Sequence, residues 1–108
     1  MSLSDESRIS KAQQLYERYP SHIPIIMNYN DDTFKFLIHR DMCVATLMTH
    51  AKKKCNIKDK STDALFILIG RDSTAVLPRL SSSIYDLYNE HGYKGMLDVT
   101  LKKENTFG

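Results

Sequence analysis

Among its 108 residues the chain has no tryptophan, two cysteines, three prolines and four glycines, and its formal net charge is only +2. Each scarcity removes a class of protein. Cys43 and Cys55, with no secretion signal before them, do not make a disulfide framework, so reduced thiols are expected. The longest apolar runs, "IPIIM" and "ALFILI", fall far short of the roughly 20 residues a membrane span needs. The start "MSLSDESR" is acidic and polar where a signal peptide is basic and then apolar, so a cytosolic chain is expected. The small net charge gives no case for nucleic-acid binding. Residues 31–60 hold seven Lys/Arg against four Asp/Glu, yet the densest run, Lys52 to Lys54, lacks interleaved aromatics and reads as a solvated helix end. There is no repeat, linker or low-complexity segment.

What is present is a composition with 42% apolar residues, enough for one core in a single domain over residues 1–108. Ser4 is placed to cap a first helix over residues 5–19, with acids in its first turn and Ile9, Ala12, Leu15, Tyr16 and Tyr19 at helical spacing. Pro20 ends it. "IPIIMNY" is apolar without clean alternation, as in a central strand covered on both faces, and Pro24 leaves one side of it locally unpaired. "NDD" is turn chemistry. "TFKFLIH" alternates Phe34, Phe36 and Ile38 against Lys35 and Leu37, so residues 23–39 read as a hairpin.

Asp41 is expected to cap a second helix carrying Val44, Leu47, Met48, Ala51 and Cys55 on one face, packed across the hairpin. A third strand over "ALFILI", a turn at "GRDS" and a short extended "AVLP" follow. Ser81 or Ser82 is expected to cap a third helix with Ile84, Leu87 and Tyr88, ended by Gly92 and Gly95. The last strand, "MLDVTLK", puts Leu97, Val99 and Leu101 on one face and Met96, Asp98 and Thr100 on the other.

A hairpin crossed by a helix and closed by a final strand is the β-grasp arrangement of ubiquitin. The expected class is α+β: a four-stranded mixed sheet crossed by a helix, with residues 1–20 as an N-terminal helical extension and 103–108 as a flexible tail. Ile26 and Leu37 point to the sheet face away from the main helix, so helix one is expected to cover that second face.

The segments "YERYPSHIPIIM", "FKFLIHRDM", "DALFILI" and "SSSIYDLYNEHGYKGMLDVTLKKENTFG" together resemble the autophagy ubiquitin-like modifiers, the family of light chain 3 and the GABA receptor-associated protein. The match runs from about residue 8 to residue 108. Its specific pieces are "YP" followed by "IP", the "ALF" strand, the "IYDLYNEH" helix and the closing Phe107-Gly108.

The resemblance implies a protein that is itself a tag. Family members are activated through the terminal glycine as a thioester on a cysteine enzyme, then joined to the amine of phosphatidylethanolamine. Gly108 is the residue in that position. A glycine on a flexible arm reaches a narrow channel that a Cβ would obstruct, and "KKENTFG" extends roughly 20 Å at about 3.3 Å per residue. Two acyl chains anchor stably where one binds marginally, so the tag acts at autophagosomal membranes without a spanning helix.

The second implied activity is capture of motif-bearing cargo receptors, whose extended aromatic-x-x-aliphatic segment adds as a strand beside the hairpin's second strand. The resemblance places an aromatic pocket at Lys11, Leu15, Pro24, Ile26, Lys35, Leu37 and Met96, and an aliphatic pocket at Phe36, Ile38, Met42 and Leu47. Strand parity agrees, since Lys35 and Leu37 share one face and Phe36 and Ile38 the other. The same residues also fit plain mutual burial. The implied partners are the activating and conjugating enzymes, those receptors, and the membrane through covalent lipid, with a monomer before conjugation and no nucleic acid.

The chain departs from its relatives in three places. At most one helix fits before "YP", where the family usually has two, and "NDDT" replaces a segment about ten residues longer. His39 and His50 stand where proline and leucine are usual, and His22 where an arginine is. Rival chemistries are thin. The spacings among His39, Cys43, His50 and Cys55 match no compact zinc pattern, and no orienting carboxylate accompanies Cys43, so no metal, cofactor or enzyme activity is expected. Two alternatives stay open: a modifier joined to a protein lysine, and a non-covalent interaction module.

Overall fold

The computed structural model describes residues 4–57 and 64–104. Helix α1 covers Asp5–Arg18, strand β1 His22–Tyr29, β2 Asp32–His39, α2 Val44–Lys54, β3 Ala64–Ile69, α3 Ile84–His91 and β4 Leu97–Glu104, with a 3-10 turn at Asp72–Thr74. The sheet order is β2-β1-β4-β3. β1 and β4 are the inner strands and pair in parallel, from Ile25 opposite Leu97 to Tyr29 opposite Leu101; the two outer pairings are antiparallel. This is the expected α+β β-grasp arrangement.

The hairpin turns through Asn30 and Asp31, with Asn30 at φ 56°, a conformation that Asn tolerates better than most residues. Pairing with β4 begins only at Ile25, so the β4 side of Pro24 is unpaired and the missing N–H costs nothing. β4 continues through Glu104, so Lys103 and Glu104, expected as the start of a polar tail, are paired with Leu65 and Ala64 of β3.

The main core lies on one face of the sheet. Ile23, Ile25 and Met27 of β1, Ile38 of β2, Ile67 and Ile69 of β3 and Leu97, Val99 and Leu101 of β4 meet Val44, Leu47 and Ala51 of α2 and Ile84 and Leu87 of α3. Burial of each such side chain contributes about 1.5–3 kcal/mol before chain entropy is set against it. On the other face a smaller cluster joins Ala12 of α1 to Ile26 and Met96, with Leu15 packed beside it. Helix one therefore covers the second face, as expected, but only part of it.

Two capping expectations are corrected. Asp41 does not cap α2: its own N–H donates to Nδ1 of His39, and the N-cap is Cys43, whose side chain makes no capping bond. The first free N–H groups of α2 are satisfied from elsewhere in the chain, Val44 by the carbonyl of Ser82 and Ala45 by that of Leu80. Ser83, not Ser81 or Ser82, caps α3, accepting from the N–H of Asp86 at 3.3 Å. A bridge between Cys43 and Ser83, with the Ile84 N–H donating to Met42, fastens these two helix starts together.

On α1, Ile9 and Tyr16 are exposed, and the sheet-facing stripe is Arg8, Ala12 and Leu15. Gly92 caps α3, whereas Gly95 lies beyond it in a tight turn. Lys94 and Gly95 have φ of 50° and 83°, and Tyr93 and Met96 exchange backbone bonds across them.

Replacing Ser83 by alanine should cost about 1 kcal/mol of stability by denaturant titration, the value of a lost helix cap. The exposed Ser81→Ala should change stability by less than about 0.5 kcal/mol. Equal effects would contradict the assignment of the cap.

Candidate functional site

Register alone brings four of the expected residues together. Pro24 is opposite Leu37 and Ile26 opposite Lys35, so all four project from the hairpin to the α1 face. Met96, just before β4, closes the floor, and Lys11 and Leu15 come from α1, one turn apart on the same flank of the helix. All seven residues placed in the aromatic pocket line one open groove of about 630 Å³ between α1 and the hairpin. Glu6, Ser7, Ser10 and Gln14 complete its helical wall, and backbone near Ile25 and Phe36 lines its base. Ile26 and Met96 are buried, Pro24, Leu37 and Leu15 half-buried, and Lys11 and Lys35 exposed. The groove thus has an apolar floor with one cation on each side.

β2 has a strand neighbour on one side only, so its outer backbone edge faces this groove without a ladder partner among the described residues. An added strand has somewhere to pair.

The residues of the aliphatic set lie elsewhere. Phe36 and Ile38 project to the face opposite Leu37, with Ile38 and Leu47 closed inside the main core at 2% and 0% exposure. Phe36 is half-buried against that core and Met42 is 41% exposed. Only these two present surface. His39 ends β2 with its ring edge-on to His22 at 5.3 Å, and His50 is exposed on α2. Gly108 lies outside the described residues.

Residue-level reading of the sequence missed the group that holds α1 in place. Arg8 is 4% exposed and donates to both carboxylate oxygens of Asp98 (3.2 and 2.8 Å), to the Tyr93 carbonyl (2.8 and 3.2 Å) and to the Met96 carbonyl (3.4 Å). Arg71 lies 3.9 Å above the Tyr93 ring, and its Nε is 3.9 Å from Asp98. The Tyr93 hydroxyl donates to Asp5 at 2.8 Å. A polar Arg at a helix position gave no signal of burial. The one legible hint was Asp98, alternating with Met96 and Thr100 on a face that had to be covered.

The described residues hold no cluster of three or more potential metal ligands. The two thiols differ in character. Backbone N–H groups of Thr46 and Ala45 at the start of α2 pull the Cys43 thiol below its ordinary value, while burial, and then the Asp32 carboxylate, push that of Cys55 up. No helix of the described residues is long and apolar enough to cross a membrane.

Comparison with known proteins sets these features in a lineage. The sequence profile described as "Autophagy protein Atg8 ubiquitin like" matches residues 7–108. Autophagy-related protein 8 of Schizosaccharomyces pombe is 32% identical over 113 aligned positions, covering 97% of this chain and 88% of that protein. Autophagy-related protein 8e of Arabidopsis thaliana is also 32% identical, covering 95% of this chain and 86% of that one. The crystal structure of Trypanosoma brucei ATG8 superposes with a TM-score of 0.81 at 27% identity, covering 100% of this chain and 95% of that one.

Because the thiolate is the reacting form, limited alkylation with iodoacetamide at about pH 8 should label Cys43 several-fold faster than Cys55. Peptide mass spectrometry reads the two rates, and the Cys43 rate should level off at the lower pH. Equal rates would contradict the contrast between the two sites.

Proposed function

We propose, on the premise that this chain belongs to the Atg8 family of ubiquitin-like autophagy proteins, that it is a membrane tag and receptor. It is joined through Gly108 to phosphatidylethanolamine and recruits cargo receptors by strand addition at β2. The observation that carries the receptor half is the convergence of Lys11, Leu15, Pro24, Ile26, Lys35, Leu37 and Met96 on one groove beside a strand edge that has no ladder partner among the described residues.

The geometry suits the motif for a simple reason. In an extended peptide, residues three apart have opposite parity, so one anchor turns to the α1 face and the other to the α2 face. Backbone bonds to β2 supply affinity that any sequence can make, and the groove supplies selection. An aromatic ring entering over Leu37 and Met96 loses water on both faces. The ammonium groups of Lys11 and Lys35 favour carboxylates on the peptide beside it.

For the tag half, the support is kinship and the chemistry of glycine. An unbranched residue passes where a side chain blocks, and a diacyl lipid amine gives a stable anchor. Conjugation needs the activating and conjugating enzymes of the autophagy system. The protein is then cytoplasmic when free and on the autophagosomal membrane when lipidated. Its role is to be transferred, not to catalyse.

Two experiments test the two halves separately. Incubated with those enzymes, ATP and phosphatidylethanolamine vesicles, the wild type should acquire the mass of the lipid and Gly108→Ala should not, with unchanged melting. A lipidated Gly108→Ala, or an isopeptide adduct on protein lysines in place of lipid, would overturn the tag reading. Leu37→Ala should weaken binding of an aromatic-x-x-aliphatic peptide by about 1–3 kcal/mol in calorimetry. Its stability loss should stay below the roughly 2–5 kcal/mol of a closed-core truncation, because Leu37 is only half-buried. Collapse of stability with affinity per folded molecule unchanged would make Leu37 a core residue.

A further inference from the structure

We propose that Asp98 is a positioning residue for the groove, holding the α1 wall at a fixed distance from the hairpin through Arg8, and thereby setting which anchor side chain the groove accepts. The proposal rests on the reading of the groove as a peptide site.

Helix α1 has little apolar surface with which to hold itself down. Its buried residues are Arg8 and Ala12, and Leu15 is only half-buried. Exposed Ile9 and Tyr16 add nothing to that contact. A helix seated on a wide apolar stripe can slide and re-pack at low cost, since dispersion contacts have no preferred direction. α1 is instead fixed by directional bonds. The Arg8 guanidinium is a planar fork whose donors reach Asp98 and two backbone carbonyls at once, so a shift of the helix breaks several bonds together. Asp98 is held in turn by β4 and approached by Arg71.

A second contact sets the closest approach. A Cβ on Gly95 would stand 2.5 Å from the Cβ of Ala12, so the helix sits as near the sheet as a residue without a side chain allows. Gly95 also has φ +83°, which disfavours any substitute. Pulled in by Arg8 and stopped by backbone at Gly95, α1 has one seat.

The consequence falls on the groove. Ser7 beside Arg8, and Lys11 and Leu15 one and two turns on, form its wall, while Arg8 and Asp98 do not line it. Asp98 lies in an adjoining hollow that shares Ile26 and Lys35 with the groove, so its charge acts alike on ligands that differ only in an uncharged anchor, and its effect on anchor size passes through the position of α1. A wall with one seat gives a slot of one width, which distinguishes a large ring from a small one; a loose wall adapts to both.

The test uses three peptides identical except for tryptophan, phenylalanine or leucine at the aromatic position, titrated by calorimetry into the wild-type chain and into Asp98→Asn and Arg8→Lys. Hydrogen exchange of α1 is read in parallel. The wild type should separate the strongest from the weakest peptide clearly, and both variants should shrink that separation by about fivefold or more, with faster exchange in α1. A merely structural role lowers the folded fraction and leaves the ratio among peptides unchanged. Should single variants fold poorly, the double variant Arg8→Met, Asp98→Leu keeps the volume without an unpaired charge and should show the same loss of selectivity. Faster α1 exchange with wild-type selectivity retained overturns the clamp alone. A wild-type chain that binds none of the three peptides overturns the groove reading, and the clamp with it.

Discussion

The parallel pairing of β1 with β4 is the constraint to which the rest of the molecule is referred. It places β1 in the interior of the sheet, and an interior strand has to be covered on both faces. Parity then decides what each face receives. Ile23, Ile25 and Met27 go to α2 and α3, while Pro24 and Ile26 go to α1. The first face is closed by two helices whose starts are fastened to each other. The second is closed by one helix that covers Ile26 and Met96 and leaves Leu37 at a margin. The groove is that margin. It exists because one amphipathic helix is narrower than the four-stranded sheet beneath it, and it borders β2, an outer strand that among the described residues pairs with β1 alone.

Much of this was legible because the signals were local. Alternation in "TFKFLIH" fixed which side chains of β2 share a face, and "NDD" marked the hairpin turn; the register that brings Pro24 to Leu37 and Ile26 to Lys35 is seen in the structure. The helical spacing of Val44, Leu47, Met48, Ala51 and Cys55 identified the buried side of α2. At the end of that helix, Asn56 at φ 56° takes the left-handed position, and the N–H groups of Asn56 and Ile57 return to Lys53 and Lys52. Lys11, Leu15 and Met96 were different. They stand on elements far apart in sequence, and only kinship with a family could bring them to the same place as the hairpin residues.

What was not legible had a common physical origin: polar groups satisfied at long range. A helix start is read from a capping side chain, yet α2 uses carbonyls of Leu80 and Ser82, some 35 residues on, so Asp41 was a natural but mistaken choice. Arg8 is the stronger case. Within "DESRIS" it is a solvated charge by any local rule, and Ile9 beside it is the residue a helical wheel buries. Two carbonyls of the turn before β4 and the Asp98 carboxylate on β4 reverse that choice. Burying a guanidinium is costly, but leaving the Asp98 carboxylate beneath a helix without that donor is costly too, and each deficit offsets the other.

The same distinction separates the two faces of the hairpin. On the α2 face the residues opposite the groove belong to a packed core, with Ile38 and Leu47 at full contact with their neighbours. Of the aliphatic set only Phe36, half-buried, and Met42, 41% exposed, present surface. Core packing is close to its density limit and does not open for a ligand without loss. On the α1 face the packing is incomplete by construction, and the wall is held by hydrogen bonds instead of by filling the space. An open groove can persist there because its shape is maintained by groups outside it. The α1 face is therefore the side that keeps an open, apolar-floored groove, while on the α2 face the same strand contributes its side chains to a closed core.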